Sequence, residues 1–339
     1  MRRLDNPPNR FDRLALEWEV EPPPATLEVY EDTTRRILAE NDSPDIGFRL
    51  SVNPYRGCSH ACAYCYARPS HEYLGFGAGS DFETRILVKT RAPELLRAEL
   101  SKPGWRGELI AFSGDTDCYQ PLEAHYGLTR ACLEVCLERS NPVGVITKSY
   151  LIARDAELLG AMARRQLVTV AFSIPFFDAA LARAIEPGAP RPGKRFEAME
   201  ILSRAGVPTR IMVGPIIPGL NDDQIPALLE RAKAAGASGA SRVLLRLPGA
   251  VREVFLTRLQ AQLPLKAARV EALVRETRGG QLNDPRFGHR MRGSGAYWEA
   301  ISRSFDLSCR RLGLDAGERR SVPAAVPAIR APAQLSLFE

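Results

Sequence analysis

An α/β fold built as an incomplete (β/α) barrel of about six units, with an N-terminal extension and a helical C-terminal one, is what this sequence predicts. Two observations predict it. Short apolar runs of strand type alternate regularly with longer helical runs, and a cysteine-rich loop follows an early strand-type run. Strand–helix alternation at this spacing implies parallel strands joined by right-handed crossovers. In such sheets chemistry gathers at the C-terminal ends of the strands. A doubly wound open sheet is the alternative.

The elements follow in order. Residues 49–52 and 85–89 are strand candidates framing the cysteine segment. Then come strand 108–112 with helix 123–138, strand 143–147 with helix 155–165, and strand 168–172 with helix 195–205. Strand 210–213 with helix 223–235 follows, and strand 242–247 closes the series. Gly206 and Gly236 stand where a left-handed residue ends a helix. Cys132 and Cys136, spaced i, i+4 on an amphipathic pattern, read as core residues.

Four segments result. Residues 1–46, around Pro22-Pro23-Pro24, form a draping, poorly ordered extension; 47–250 hold the barrel; 251–315 are helical and arginine-rich; 316–339 are a Pro/Ala linker and tail. No internal repeat is present. The N-terminus has no apolar run of the secretory kind, and no stretch reaches the roughly 18 apolar residues of a membrane span. A cytoplasmic location and no membrane partner are therefore expected. The net charge is +6, and from residue 241 onward 17 Lys/Arg face 9 Asp/Glu. That excess points to a polyanionic partner such as nucleic acid, or to a solvated arginine-rich face.

Of the seven cysteines, three fall in Gly57-Cys58-Ser59-His60-Ala61-Cys62-Ala63-Tyr64-Cys65-Tyr66. Such clustering favours metal binding over disulfides. Thiolates suit iron–sulfur clusters, and three of them leave one iron of a four-iron cluster open to another ligand. A zinc site completed by His60 or His71, or three unrelated buried thiols, is the bland alternative.

The C-x3-C-x2-C spacing with Tyr64 before Cys65 resembles the signature of the radical S-adenosylmethionine (SAM) superfamily. The resemblance spans about residues 44–315. It is closest to the spore photoproduct lyase-like branch, including bacterial members carrying the string Asn53-Pro-Tyr-Arg-Gly-Cys58. It implies a partial barrel, a 4Fe–4S cluster on Cys58, Cys62 and Cys65, and SAM on the open iron. It implies reductive cleavage of SAM to a 5′-deoxyadenosyl radical, with electrons from a donor such as flavodoxin or ferredoxin. Tyr64 would pack near the adenine. Ser113, Lys148 and Ser173, each ending a strand unit, match positions that contact SAM in relatives. An ammonium can pair with a carboxylate, and hydroxyls can bond amino acid and ribose groups. For the serines a helix cap or strand end is the alternative. Asp115 and Asp117 are weaker candidates for the SAM ammonium, Ile216 is a candidate contact to the adenine, and Arg195 receives no role.

In the same branch a cysteine two residues before the first of these serines donates a hydrogen atom, and here that position is Ala111. Tyr64 and Tyr66 match the two tyrosines of the relay, while Cys118 is either a substitute donor or a buried thiol. The segment 286–298 combines arginines with Tyr297 and Trp298, which suits phosphate contact and base stacking or a loop over the barrel mouth. The tail Gln334-Leu335-Ser336-Leu337-Phe338 resembles the bacterial sliding-clamp binding pentapeptide, with Gln334, Leu335, Leu337 and Phe338 as contacts. Together these readings predict a radical SAM enzyme acting on DNA, by lyase-like lesion repair. The alternatives are modification of RNA, protein or a small molecule, or a non-catalytic iron–sulfur module that binds nucleic acid and the clamp.

Overall fold

A computed structural model describes residues 26–316 of the chain. Its strands are β1 (Glu28–Glu31), β2 (Leu38–Glu40), β3 (Leu50–Val52), β4 (Tyr55–Arg56), β5 (Arg85–Val88) and β6 (Ile110–Phe112), followed by β7 (Val143–Thr147), β8 (Val168–Ser173), β9 (Thr209–Ile216) and β10 (Gly239–Leu244). The helices are α1 (Ser80–Thr84), α2 (Ala92–Leu100), α3 (Glu123–Tyr126), α4 (Leu128–Glu138), α5 (Ala156–Arg164) and α6 (Ala179–Ile185), then α7 (Pro192–Arg204), α8 (Ile225–Ala234), α9 (Val251–Gln262), α10 (Pro264–Glu276) and α11 (Gly295–Leu312).

The main sheet has the order β10-β9-β8-β7-β6-β3-β2. From β3 to β10 every neighbouring pair is parallel. Consecutive parallel order without a switch point is the signature of a barrel arc, so the doubly wound alternative is excluded. Residues 28–31 and 38–40 are strands, which corrects the expectation of a draping extension for its described part. β2 pairs antiparallel with β3 and covers the first edge of the arc. β1 joins β5 and β4 in a separate three-stranded sheet. The 85–89 run therefore braces the cysteine loop from outside the barrel.

Alternation in β7 (Val143 and Val145 buried, Gly144 and Ile146 partly so) turns one strand face to the helices. The core there gathers Val52, Phe112, Val145, Phe172 and Val213 from strands with Leu96, Leu159, Leu202 and Leu228 from helices. Each such side chain contributes roughly 1.5–3 kcal/mol on burial. Cys132 and Cys136 are fully buried in this core, as their spacing implies. The run 123–138 is two helices rather than one. Gly127 takes φ +63°, and the Glu123 carboxylate accepts the backbone N–H of Thr129 at 2.9 Å to start α4 afresh. Gly206 and Gly236 have φ of +79° and +89°, as the helix ends require. At the C-terminal side α11 lies on α8, and Asp315 bridges to Gly239 at the edge of β10. The arginine-rich part thus shares the main core through Ile301 and Phe305. No helix among the described residues is long and apolar enough to cross a membrane.

Candidate active site

The cysteine loop leaves the C-terminal end of β3 through β4. Gly57 makes the turn at φ +79°, where a Cβ would stand 2.9 Å from both His71 Cε1 and Ile86 Cδ1. Cys58 N then donates to Phe82 O at 2.9 Å, and Ala63 N to Ile185 O at 3.0 Å. Gln120 reaches in from the loop after β6, accepting from Ser59 N at 3.1 Å and donating to Gly57 O at 3.0 Å. Arg68 is wholly buried. Its Nε and Nη2 donate to Cys62 O at 3.1 and 2.8 Å, and its Nη1 to Ala78 O and Gly79 O at 2.9 Å each. Glu83 pairs with it, and Arg258 of α9 reaches the same carboxylate at 3.4 Å. Cation and backbone together fix the loop's path, as a buried charge demands.

Cys58 and Cys62 are buried and Cys65 is partly so. Burial pushes all three thiols up; Lys148 opposes this at Cys62 and Cys65, Arg195 at Cys62, and Arg68 at Cys65. Thiols that need a cation to ionise are donors suited to a bound metal, since ligation releases their protons. Among the described residues no three His, Cys, Asp or Glu side chains group closely enough to hold one ion. A cluster binds its thiolates through separate irons, and three free thiols on one loop, facing a cationic wall, fit such a group.

That wall is made by the next strand ends. Lys148, just past β7, donates from Nζ to Ser173 Oγ at 2.7 Å, and Ser173 passes the bond to Gly214 O at 2.9 Å. The ammonium also stands 5.6 Å from the Tyr64 ring centroid and 3.9 Å from Glu186 Oε1. Glu186 accepts the Tyr64 hydroxyl and pairs with buried Arg195, whose Nη1 donates to Ser173 O at 3.0 Å. Burial lowers the Lys148 ammonium and raises the Glu186 carboxyl, so each sits away from its ordinary value. The fold thus brings Tyr64, Lys148 and Ser173 together beside Cys62. Glu186 and Arg195 complete the group. Sequence reading missed Glu186, because Glu186-Pro187-Gly188 carries no motif. The signal available was Gly188, where a Cβ would run into Ser59 O of the cysteine loop.

The remaining candidates are placed differently. Ser113 adopts φ +68°, in the left-handed region, and its Oγ accepts from Cys118 N at 2.8 Å. It therefore does the work of a turn cap, with its hydroxyl also engaged by the Cys118 thiol. Asp117 accepts from Thr147 Oγ1 at 2.7 Å and from Lys148 N at 2.8 Å, and lies 3.3 Å from His60 Nδ1. Burial raises its carboxyl, but His60 and these bonds prevail and hold it at about 2. Asp117 is spent on joining the β6 and β7 loops. Ile216 is fully buried in the main core, while Ile217 clusters with Cys62 and Tyr64. Ala111 lies buried in β6, and Cys118 is a fully buried thiol of the main core. Tyr66 stands outside the wall, 49% exposed, with its hydroxyl on Gly114 O at 2.7 Å.

In the basic segment Trp298 is only 7% exposed and the Tyr297 hydroxyl is bound to Asp222 at 2.6 Å. The Trp298 ring is not free to stack on a base, Tyr297 is held by its hydroxyl with its ring partly exposed, and Phe287 is 55% exposed. Gln334, Leu335, Leu337 and Phe338 lie outside the described residues.

The family profile described as "Radical SAM superfamily" matches residues 52–232. An uncharacterized protein of Mycobacterium tuberculosis is 36% identical over 293 residues, covering 86% of this chain and 82% of its own. The radical SAM Nalpha-GlyT isomerase of Pseudomonas phage M6 is 25% identical over 210 residues, covering 61% of this chain and 42% of its own. Among solved structures, a mutant of spore photoproduct lyase superposes with TM-score 0.58 at 16% identity, over 86% of this chain and 81% of that one. The same lyase complexed with dinucleoside spore photoproduct gives 0.57 at 14% identity, over 85% and 81%. At such identities the likeness is one of fold.

Proposed function

This chain belongs to the radical SAM superfamily, and from that premise we propose that it performs radical chemistry on DNA, on a substrate akin to a base lesion. Its cofactors are a 4Fe–4S cluster and SAM, which when bound supply a 5′-deoxyadenosyl radical. Cys58, Cys62 and Cys65 would hold the cluster. Lys148 offers its ammonium to a carboxylate, with Ser173 and Glu186 fixing where that ammonium lies and the Tyr64 ring beneath it. Ser113 adds a hydroxyl from the neighbouring strand end, and Ile216 supports the wall from the core side. The observation that carries the DNA reading is the reach of the likeness to spore photoproduct lyase. It runs over 86% of the chain, more than residues 52–232 alone.

The ending of the reaction departs from that of the lyase-like branch. Ala111 offers no thiol, and Cys118 is sealed in the core where burial holds it protonated. Tyr64 gives its hydroxyl to Glu186 and Tyr66 to Gly114 O at 2.7 Å; Tyr66, the more exposed of the two, is the one this reading assigns to exchange a hydrogen atom at its phenol oxygen. The test is 5′-deoxyadenosine formation by the reduced, reconstituted protein, with lesion-bearing DNA set against tRNA. Stimulation by DNA supports the reading; stimulation by tRNA alone transfers it to RNA modification. Cys58→Ala should drop cleavage to background and lower bound iron. For the tail we expect deletion of residues 334–339 to spare SAM cleavage and remove affinity for a sliding clamp. Clamp binding that survives the deletion would discard recruitment through this peptide.

A further inference from the structure

The arginines of the C-terminal part divide by the partners they already have. Arg242 is paired with Asp306 at 2.6 Å, Arg258 with Glu83 at 3.4 Å, Arg286 with Asp284 at 2.7 Å, and Arg290 with Asp45. Arg278 holds no carboxylate but donates to the carbonyls of Leu245, Arg290 and Arg292 at 2.6, 3.0 and 3.0 Å, pinning that turn to the end of β10. These side chains do structural work, so their number says little about a ligand.

Arg246 is unlike them. It lies two residues past β10, at the end of the barrel where the cysteine loop emerges, and is half-buried. Among the described residues its buried Nε has no hydrogen-bond partner, and its Nη1 has only the Met291 thioether at 3.6 Å. The guanidinium carbon is 5.9 Å from the ring centroid of Tyr66, the residue next to Cys65. The nearest carboxylate influence comes from Asp45, which is already bound by Arg290 and by Gly288 N–H. Arg290 itself repels the guanidinium. A fixed, partly desolvated cation with an open fork costs free energy unless an anion arrives to meet it. Lys148, just past β7, would serve the carboxylate of SAM. What remains is an anion of the substrate.

We propose that Arg246 is a phosphate-contact residue of the substrate site, its fork taking a backbone phosphate of a nucleic-acid strand presented at the rim beside Tyr66. This rests on the reading of DNA as substrate. A guanidinium matches phosphate oxygens two at a time, which a lysine cannot do. Losing one such contact weakens binding by about tenfold and makes the salt dependence shallower by about one counterion.

The experiment is equilibrium binding of the cluster-loaded full chain, with SAM, to a short DNA duplex and to its single strand over a range of salt. Arg246→Gln should bind about tenfold more weakly with the shallower slope, while Arg246→Lys should recover the slope without the full affinity. Arg303→Gln is the control, since Arg303 is exposed on α11 in the outer layer against α8. It should change neither quantity. Bound iron, measured on every variant, reports that the fold is intact. If Arg246→Gln and Arg303→Gln behave alike while wild type binds DNA, the Arg246 assignment is wrong and the DNA reading stands. If wild type binds neither strand, the DNA reading falls and takes the assignment with it.

Discussion

On one side of the cysteine loop Arg68 is sealed from water and spends its donors on the carbonyls of Cys62, Ala78 and Gly79 and on Glu83. On the other side Arg246 faces Tyr66 with a donor that meets nothing. The same residue type is thus saturated beside the three cysteine thiols and, among the described residues, unsaturated on the rim that faces outward. The wall also contains Tyr64, Lys148, Ser173, Glu186 and Arg195, every one bonded to another member. Preorganisation of that kind suits a site whose ligands never change. The rim, with an exposed tyrosine and an unpaired cation, suits a ligand that comes and goes. Division of the mouth into a rigid wall and an open rim is therefore the claim that mutations should test.

Arg68 is where the largest loss is expected. Arg68→Met removes the buried cation, leaves Glu83 with Arg258 alone at 3.4 Å and frees the Cys62 carbonyl. Breaking a buried pair in this way costs about 3–5 kcal/mol. Thermal unfolding and iron content should fall together. A variant that loses stability yet still fills with iron would show that the wall does not set the loop's geometry.

Glu186→Gln comes next. The amide keeps the size and can still meet the Tyr64 hydroxyl, but Arg195 loses its buried counter-charge. A charge-assisted bond lost there costs about 1.5–3 kcal/mol. Because Glu186 also stands 3.9 Å from Lys148, SAM affinity should fall while the spectrum of the bound cluster stays the same. Equal SAM affinity in variant and wild type would reduce Glu186 to a packing role.

How far this division could be read in the sequence depends on the kind of interaction. The barrel was legible because apolar periodicity is local: 143–147 is a strand in both readings, and Gly206 and Gly236 end helices as glycines do. The cysteine loop was legible because its three thiols lie within one short segment, and Lys148 and Ser173 through the family resemblance at the strand ends. Glu186, Gln120 and Arg68 were not, since each acts through backbone atoms or partners brought close only by folding. Strands β1 and β2 escaped notice because four and three residues give too little alternation to count. In the 286–298 segment composition suggested a ligand surface; folding engages Arg290, Trp298 and the Tyr297 hydroxyl internally, while Arg286 stays exposed beside Asp284.

The smallest effect, and one of opposite sign, is expected on the rim at Asp115. Its carboxyl is removed from water between the wall and the rim, receives Ser70 at 3.5 Å, and senses Lys89 and Arg56 as its cations. Burial outweighs them and pushes it from 3.8 up to about 6. The folded protein therefore keeps a proton between pH 3.8 and about 6 that the unfolded chain has released. Stability from this group is full below that window and declines as pH rises through it. Asp115→Asn removes the titration; the shift is worth about 3 kcal/mol in full, and with the residue partly exposed the variant should gain about 2 kcal/mol at pH 8 and nothing near pH 4. For a chain of 339 residues that is a rise in Tm of about 3 °C, confined to the alkaline side. A gain of equal size at both pH values would mean that packing, and not desolvation of a charge, distinguishes this position. A loss at pH 8 would mean that Lys89 and Arg56 depend on the carboxylate, and that the rim is held by ion pairing as the wall is.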